Sequence, residues 1–102
     1  IIEDNCFIGG NCGIYEGVKI EEGCVIGTGT IINGSTPIID INTGEKFYKL
    51  VPKGSVVIPG GKKKIINGEE YVFQTPLIIK RVSDIENKSK ITLNDELRNL
   101  LD

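Results

Sequence analysis

Isoleucine recurs at every sixth residue from the start of the chain to residue 38. The positions in this phase are Ile2, Ile8, Ile14, Ile20, Ile26, Ile32 and Ile38. Seven isoleucines at exact intervals of six are more than the 3.6-residue period of an α-helix or the two-residue alternation of a strand would produce incidentally. A six-residue repeat with a fixed apolar position is typical of a parallel β-helix. We therefore predict an all-β fold in which residues 2–37 form two coils of three repeats each, with the isoleucines from Ile2 to Ile32 pointing inward.

A second column of residues follows each isoleucine by four positions and is small or β-branched. Its members are Cys6, Cys12, Val18, Cys24, Thr30 and Thr36, and they are preceded by Asn5, Asn11, Gly17, Gly23, Gly29 and Ser35. Glycine and asparagine adopt positive φ at low cost, so this preceding position can turn the chain. Each repeat is therefore predicted to be a short strand followed by a corner.

All three cysteines of the chain occupy this second column. Zinc ligands usually come in pairs two to four residues apart, and intervals of six and twelve fit that pattern poorly. We interpret Cys6, Cys12 and Cys24 as small core residues that are reduced and bind no metal. With three repeats per coil, Cys6 and Cys24 would lie on neighbouring coils.

The repeat breaks after Ile38, because the next position in phase is Gly44, and it returns with Val51 and Val57. An inserted β-hairpin near residues 39–50, turning at 42–44, accounts for the break. We assign residues 1–61 to the β-helix with this insertion.

Residues 62–102 are predicted to form a hairpin, a strand and a short α-helix. Asn67-Gly68 is a strong two-residue hairpin turn, and the apolar strand that begins at Leu77 would lie against the end of the β-helix. The tail has Thr92 as an N-cap and leucines on one face, which predicts a short amphipathic helix.

Charge and hydropathy narrow the possible functions. Twelve basic and fourteen acidic residues give a net charge of −2, which offers no whole-chain basis for binding nucleic acid or an anionic membrane. No apolar run is long enough to span a bilayer and no signal peptide is recognisable, so we expect a cytoplasmic protein. The run Lys62-Lys63-Lys64 is either a solvated face or a phosphate contact.

Several longer segments are more specific than the repeat alone. The stretches "IIEDNCFIG", "EGVKIEEGCVIGTGTIINGSTPIID", "TGEKFYKLVPKGSVVIPG", "PLIIK" and "LNDELRNLLD" occur in this order. Over nearly its whole length the chain resembles the C-terminal part of the tetrahydrodipicolinate N-succinyltransferase family, which are hexapeptide-repeat acyltransferases. The resemblance implies a left-handed β-helix, a homotrimer, and a helical N-terminal domain that is absent from this chain.

The activity implied by this resemblance is succinyl transfer from succinyl-CoA to tetrahydrodipicolinate in bacterial lysine and diaminopimelate synthesis. Succinyl-CoA is then a co-substrate, and no tightly bound cofactor is expected. The residues that match the acyl-CoA groove of the family are Gly10, Asn11, Gly27, Thr28, Ser35, Gln74 and Thr75.

The catalytic residue is not assigned by the resemblance. Many members carry Ala-Arg-Ser-Glu after "FIG", whereas this chain has Gly10-Asn11-Cys12-Gly13. Glu16 is the nearest carboxylate and is either a catalytic group or a solvated corner residue. The family's substrate-binding arginine and an acidic residue fall upstream of Ile1, so we expect these 102 residues alone to be inactive.

Two alternatives remain open at this point. One is another hexapeptide acyltransferase with an acetyl donor or an amino-sugar acceptor, although many of those use a histidine and this chain has none. The other is a non-catalytic structural β-solenoid, against which the two irregular hairpins argue.

Overall fold

The computed structural model describes residues 1–82, and the regular elements in this range are all β-strands. The strands are β1 (Phe7–Ile8), β2 (Gly13–Ile14), β3 (Lys19–Ile20), β4 (Val25–Ile26), β5 (Ile31–Ile32), β6 (Ile38–Asp40), β7 (Lys46–Phe47), β8 (Leu50–Val51), β9 (Ser55–Ile58), β10 (Gly61–Ile66), β11 (Glu69–Gln74) and β12 (Leu77–Arg81). The helix predicted from Thr92 lies outside the described residues.

Parallel pairing at an interval of eighteen residues builds the first two coils. Ile2 bridges to Ile20, β1 pairs with β4 through Ile8 and Ile26, and β2 pairs with β5 through Ile14 and Ile32. Eighteen residues are three repeats of six, so each coil consists of three strands. The predicted repeat and its phase are confirmed.

The corners between strands use the predicted turn column. Asn5, Asn11, Gly17, Gly23 and Gly29 all have positive φ, between 57° and 85°. Ser35 does not adopt positive φ, and the side chain of Asn33 accepts hydrogen bonds from the Ser35 and Thr36 amides instead. The expectation that Ser35 turns the chain like its predecessors is therefore wrong, because the chain leaves the coil at this point.

A third coil follows after an insertion. Val51 stacks on Ile20 and Val57 on Ile26, an interval of thirty-one residues, which is thirteen more than a regular coil. The extra residues include the antiparallel hairpin β6–β7, in which Ile38 pairs with Phe47. The predicted hairpin is confirmed, but Ile38 is not a further rung of the coil, because Val51 occupies the place above Ile20.

Strand β12 closes the exposed edge of the third coil. It pairs antiparallel with β9 and parallel with β6, giving a six-stranded sheet of order β1-β4-β9-β12-β6-β7. Covering an edge in this way prevents further strand addition. The expected strand against the end of the β-helix is confirmed.

The ribbon β10–β11 projects from the last coil. Asn67 and Gly68 have φ values of 54° and 80°, as a type I′ turn requires, which confirms the second predicted hairpin. Every residue of both strands is exposed.

The core runs through the centre of the coils. Ile20, Ile26 and Ile32 are at most 1% exposed, Ile8 and Ile14 are partly buried against them, and Ile2 on the outermost coil is 50% exposed. The inward phase of the isoleucines is therefore confirmed, with burial increasing from the first coil to the second. Residues 1–82 contain no helix that could cross a membrane.

Candidate functional site

The cysteine column is part of the core and is held by hydrogen bonds to corner carbonyls. The thiols of Cys6, Cys12 and Cys24 donate to the carbonyl oxygens of Glu21, Gly27 and Pro52 at 3.2, 3.1 and 3.2 Å. In the same column, the hydroxyls of Thr30 and Ser55 donate to Gly27 and Pro52 at 2.7 and 2.6 Å. The column therefore selects small side chains that carry a donor, which explains the cysteines without metal or redox chemistry.

The three thiols differ in burial. Cys6 and Cys12 are partly exposed, whereas Cys24 is fully buried, and all three are free. Burial raises the pKa of the Cys24 thiol to about 12. Because a nucleophilic cysteine needs an accessible thiolate, Cys24 is unsuited to catalysis.

The corners of successive coils stack in three columns. The first corner contains residues 3–5, 21–23 and 52–54, the second contains 9–11, 27–29 and 58–60, and the third contains 15–17 and 33–35. Equivalent backbone hydrogen bonds join the corners of neighbouring coils. The Gly23 amide donates to the Asp4 carbonyl and the Gly29 amide donates to the Gly10 carbonyl, both at 3.0 Å. Each surface residue can thus be assigned to one corner.

The second corner contains four of the predicted groove residues, Gly10, Asn11, Gly27 and Thr28. The Gly27 amide donates to the Val57 carbonyl at 2.7 Å, which joins the second coil to the third. Stacking here is tight, because a Cβ on Gly9 would lie 2.7 Å from the Thr28 nitrogen. Gly10, by contrast, faces open space. The corner therefore exposes backbone with few side chains in front of it.

Gln74 and Thr75 adjoin the second corner at the base of the ribbon. The Thr75 amide donates to the Gly60 carbonyl at 3.0 Å, and Thr75 is buried while Gln74 is exposed. A small groove separates them from the second coil, lined by Gly29, Ile31, Pro59, Gly60, Gln74, Thr75 and Pro76. The fold thus brings six of the seven predicted acyl-donor residues to one corner.

Ser35 and Glu16 lie at the third corner instead. The Tyr15 amide donates to the Ile32 carbonyl at 3.0 Å, which stacks residues 15–17 under residues 33–35. The Ser35 hydroxyl bonds to the Asn33 side chain at 3.0 Å. Glu16 is exposed. These two residues share a corner with each other and not with the groove.

The first corner is acidic and was not singled out from the sequence as a cluster. Glu3, Asp4, Glu21 and Glu22 surround a cleft with Lys53. Three of the four carboxylates have partners. The Lys53 ammonium lies 3.6 Å from Glu22, the Lys53 amide donates to Glu21 at 3.1 Å, and the Lys19 ammonium lies 3.5 Å from Glu3. Within residues 1–82 no group of three or more potential ligands is arranged to hold a metal ion.

An ion pair between an exposed arginine and a buried carboxylate joins the inserted hairpin to the closing strand. The Arg81 guanidinium lies 2.9 Å from the Asp40 carboxylate, whose side chain is 4% exposed. Arg81 also lies over the Phe47 ring, 5.0 Å from its centroid. The pair joins residues from separate parts of the chain, so sequence patterning gave no signal for it.

These features describe a coil of six-residue repeats with an open backbone groove at one corner. Residues 1–33 match the family model described as the hexapeptide repeat of succinyl-transferase. This match agrees with the six-residue repeat over the residues that it covers.

Similarity to particular enzymes extends over nearly the whole chain. It is 50% identical over 99 residues to a 2,3,4,5-tetrahydropyridine-2,6-dicarboxylate N-succinyltransferase of Variovorax paradoxus. It is 48% identical over 98 residues to enzymes of the same name from Acidovorax ebreus and Acinetobacter baylyi. The alignments cover 96% of this chain and 35% of each relative. The predicted resemblance to tetrahydrodipicolinate N-succinyltransferases is confirmed, and the chain spans about a third of their length.

Proposed function

We propose that this chain carries the acyl-donor groove of an N-succinyltransferase that transfers succinate from succinyl-CoA to tetrahydrodipicolinate in bacterial lysine and diaminopimelate synthesis. The observation that carries the proposal is the assembly of Gly10, Asn11, Gly27, Thr28, Gln74 and Thr75 at one corner. We infer the identity of the acyl group and of the acceptor from the similarity to the named N-succinyltransferases.

The reaction requires few groups from the protein. Water opens the ring of tetrahydrodipicolinate, and the released amine attacks the thioester carbonyl of succinyl-CoA. A C–N bond forms, the C–S bond breaks, the amine loses a proton and CoA leaves as the thiol. A carboxylate base and backbone amides that stabilise the oxyanion are sufficient for this chemistry.

The second corner suits an extended, amide-containing ligand such as the pantetheine arm. Its glycines leave the backbone accessible, and the amides of Asn11 and Thr28 make no hydrogen bond within residues 1–82. Free amides of this kind can donate to the carbonyl oxygens of the arm. Gln74 would contribute a side-chain amide from the ribbon.

The proposal includes properties of the assembled enzyme. In line with the family that the chain resembles, we assign a left-handed sense to the coil, a homotrimeric state and a cytoplasmic location. We also place the boundary between the β-helix and the C-terminal part of the chain after residue 61. Glu16 remains the candidate base, and it lies with Ser35 at the third corner. Sedimentation velocity of the chain tests the trimer directly.

A pair of matched variants tests the groove. Gly10 and Asp4 are equivalent positions of the repeat, since each precedes an asparagine with positive φ and each carbonyl accepts a hydrogen bond from the next coil. Gly10→Phe would place a ring in open space at the second corner, whereas Asp4→Phe would place it at the first corner. Isothermal titration with CoA should show at least a ten-fold loss of affinity for the first variant and less than a two-fold change for the second.

Three outcomes would count against the proposal. These are equal effects of the two substitutions, no CoA binding by the unmodified chain, and tighter binding of acetyl-CoA than of succinyl-CoA.

A further inference from the structure

One surface amide of the second corner lacks the acceptor that its counterparts at the first corner have. The middle residue of the first corner is Glu22 on the second coil, and its amide donates to the Glu3 carboxylate at 3.0 Å. On the third coil it is Lys53, whose amide donates to the Glu21 carboxylate at 3.1 Å. In both cases the carboxylate belongs to the first residue of the same corner, one coil earlier. Thr28 is the middle residue of the second corner, and within residues 1–82 its amide donates to no acceptor.

The Thr28 amide is left open because Gly9 has no side chain. Gly9 is the first residue of the second corner one coil earlier, the position that Glu3 holds at the first corner. A Cβ on Gly9 would lie only 2.7 Å from the Thr28 nitrogen, so a side chain there would cover this amide. Thr28 itself is exposed. An oxygen atom from another molecule can therefore take the place that a carboxylate of the chain occupies at the first corner.

The peptide between Gly27 and Thr28 is held in a fixed orientation from inside the coil. The Gly27 carbonyl oxygen accepts from the Cys12 thiol at 3.1 Å, and from the Thr30 hydroxyl and amide at 2.7 and 3.2 Å. The C=O and N–H of a trans peptide point in opposite directions, and residues 1–82 contain no cis peptide. Three donors on the inside therefore direct the Thr28 N–H towards the surface.

The first corner shows the same arrangement with its acceptor in place. The Pro52 carbonyl oxygen accepts from the Cys24 thiol at 3.2 Å, and from the Ser55 hydroxyl and amide at 2.6 and 3.2 Å. The Lys53 amide belongs to the same peptide as this carbonyl, and it is the amide that donates to the Glu21 carboxylate. An amide that is directed outward in this way thus binds an oxygen when one is within reach.

We infer that the Thr28 amide binds an oxygen of the acyl donor, and that Gly9, Cys12 and Thr30 are positioning residues for this hydrogen bond. Gly9 leaves the amide open, while the Cys12 thiol and the Thr30 hydroxyl hold the peptide that presents it. The acceptor is a carbonyl oxygen of the pantetheine arm or an oxygen of the acyl group. The inference rests on the proposed function, since it names the residues that prepare the donor groove.

Removing the Thr30 hydroxyl tests the positioning role. Thr30→Val keeps the shape of the side chain without the hydroxyl, whereas Thr30→Ser keeps the hydroxyl. Isothermal titration with succinyl-CoA should show about a three- to ten-fold loss of affinity for Thr30→Val, as expected for one weakened hydrogen bond, and less than a two-fold loss for Thr30→Ser. Ser55→Ala is the matched control, because it removes the equivalent hydroxyl at the first corner, and its affinity should stay within two-fold of that of the unmodified chain.

A second ligand identifies the acceptor oxygen. CoA contains the pantetheine carbonyls but has no acyl group. An equal loss of affinity for CoA and for succinyl-CoA in Thr30→Val would assign the oxygen to the pantetheine arm. A loss for succinyl-CoA alone would assign it to the acyl group. Either result supports the inference.

Hydrogen exchange measured by NMR follows the amide itself and needs no variant. We expect succinyl-CoA to slow exchange of the Thr28 amide at least ten-fold and to leave exchange of the Glu22 amide unchanged, because Glu22 already has the Glu3 carboxylate as its acceptor. In Thr30→Val, saturating ligand should give the Thr28 amide less protection. A merely structural role of Thr30 would lower the stability of the chain and leave this protection intact.

The outcomes separate this inference from the proposed function. If the unmodified chain binds succinyl-CoA but its Thr28 amide gains no protection, the inference fails and the groove assignment stands, even where Thr30→Val does not fold. Unchanged affinity in Thr30→Val, or an equal loss in Ser55→Ala, would also overturn the inference alone. If the unmodified chain binds neither CoA nor succinyl-CoA, both proposals fail.

Discussion

Gly54 is the position where a single methyl group should do most damage to the third coil. Its φ is +70°, its amide donates to the Glu22 carbonyl at 2.9 Å, and its carbonyl accepts from the Val82 amide at 2.7 Å. A Cβ at this position would overlap the Val82 carbonyl oxygen. Gly54→Ala must therefore displace the end of strand β12 as well as strain the corner.

Gly17 provides a matched control for the strain alone. Its φ is +85° and a Cβ there would meet nothing within 4 Å. An L-residue in the left-handed region costs about 1–2 kcal/mol, and replacing glycine in the unfolded chain returns about 0.4–1 kcal/mol. Gly17→Ala should therefore reduce the free energy of unfolding by about 1 kcal/mol.

Two further terms apply at Gly54. Loss of the Val82 hydrogen bond costs about 0.5–1.5 kcal/mol, and forcing a packed backbone apart costs about 1–3 kcal/mol. The total for Gly54→Ala is then about 3–5 kcal/mol, which is several times the loss at Gly17.

Urea denaturation followed by circular dichroism measures both variants. With a denaturant slope of about 1–3 kcal/mol per molar urea, the midpoint should fall by at most about 1 M for Gly17→Ala and by roughly three to five times as much for Gly54→Ala at the same slope. Equal midpoints for the two variants would refute the reasoning, because they would show that β12 does not pack against the corner at Gly54.

Three other perturbations have expected outcomes. Arg81→Ala should lower the free energy of unfolding by about 2–3 kcal/mol, because it leaves the Asp40 carboxylate buried without its partner. The loss should not be larger, because Arg81 itself is 37% exposed. Adding Asp40→Asn should recover part of the loss, as measured by urea denaturation. Ile26→Ala should lower the free energy of unfolding by about 2–5 kcal/mol, and Ile2→Ala should lower it by at most about 1 kcal/mol. Similar losses for the two variants would contradict the increase in burial from the first coil to the second. The folded chain holds the Cys24 proton more tightly than the unfolded chain, so the free energy of unfolding should fall as the pH rises from about 9 to about 12. A Cys24→Ala variant with the same pH slope would contradict this assignment.

The coil was predictable because its long-range contacts repeat its local pattern. Ile8 stacks on Ile26 for the same reason that Ile14 stacks on Ile32, so the interval of six specifies both the inward residues and their partners. The break in the pattern was predictable only in part. Ile38 fits the repeat and the hairpin equally well, and its strand is held by β12, which comes from residues 77–81. No local pattern contains that information.

The groove shows a similar division between what the sequence contains and what it does not. Gly10 and Thr28 are eighteen residues apart, so a count of three repeats per coil places both at one corner, and the same count separates Ser35 from them. The approach of Gln74 and Thr75 depends on how the ribbon returns to the coil at Gly60. That return is a tertiary contact, so only the structure connects the two parts of the groove.

Residue type and burial alone do not explain which side chains occupy the cysteine column. Each corner carries a carbonyl oxygen that faces the interior, and the Gly27 oxygen accepts from both Cys12 and Thr30. A buried carbonyl without a donor costs free energy, so a small side chain with a donor is favoured at this position. Cysteine, threonine and serine meet that requirement, whereas Val18 fills the space without donating. Within residues 1–82 the Glu21 oxygen accepts only from the Cys6 thiol, at 3.2 Å. Substituting Cys6 by serine should therefore be tolerated better than substituting it by valine, a ranking that a purely apolar core would reverse.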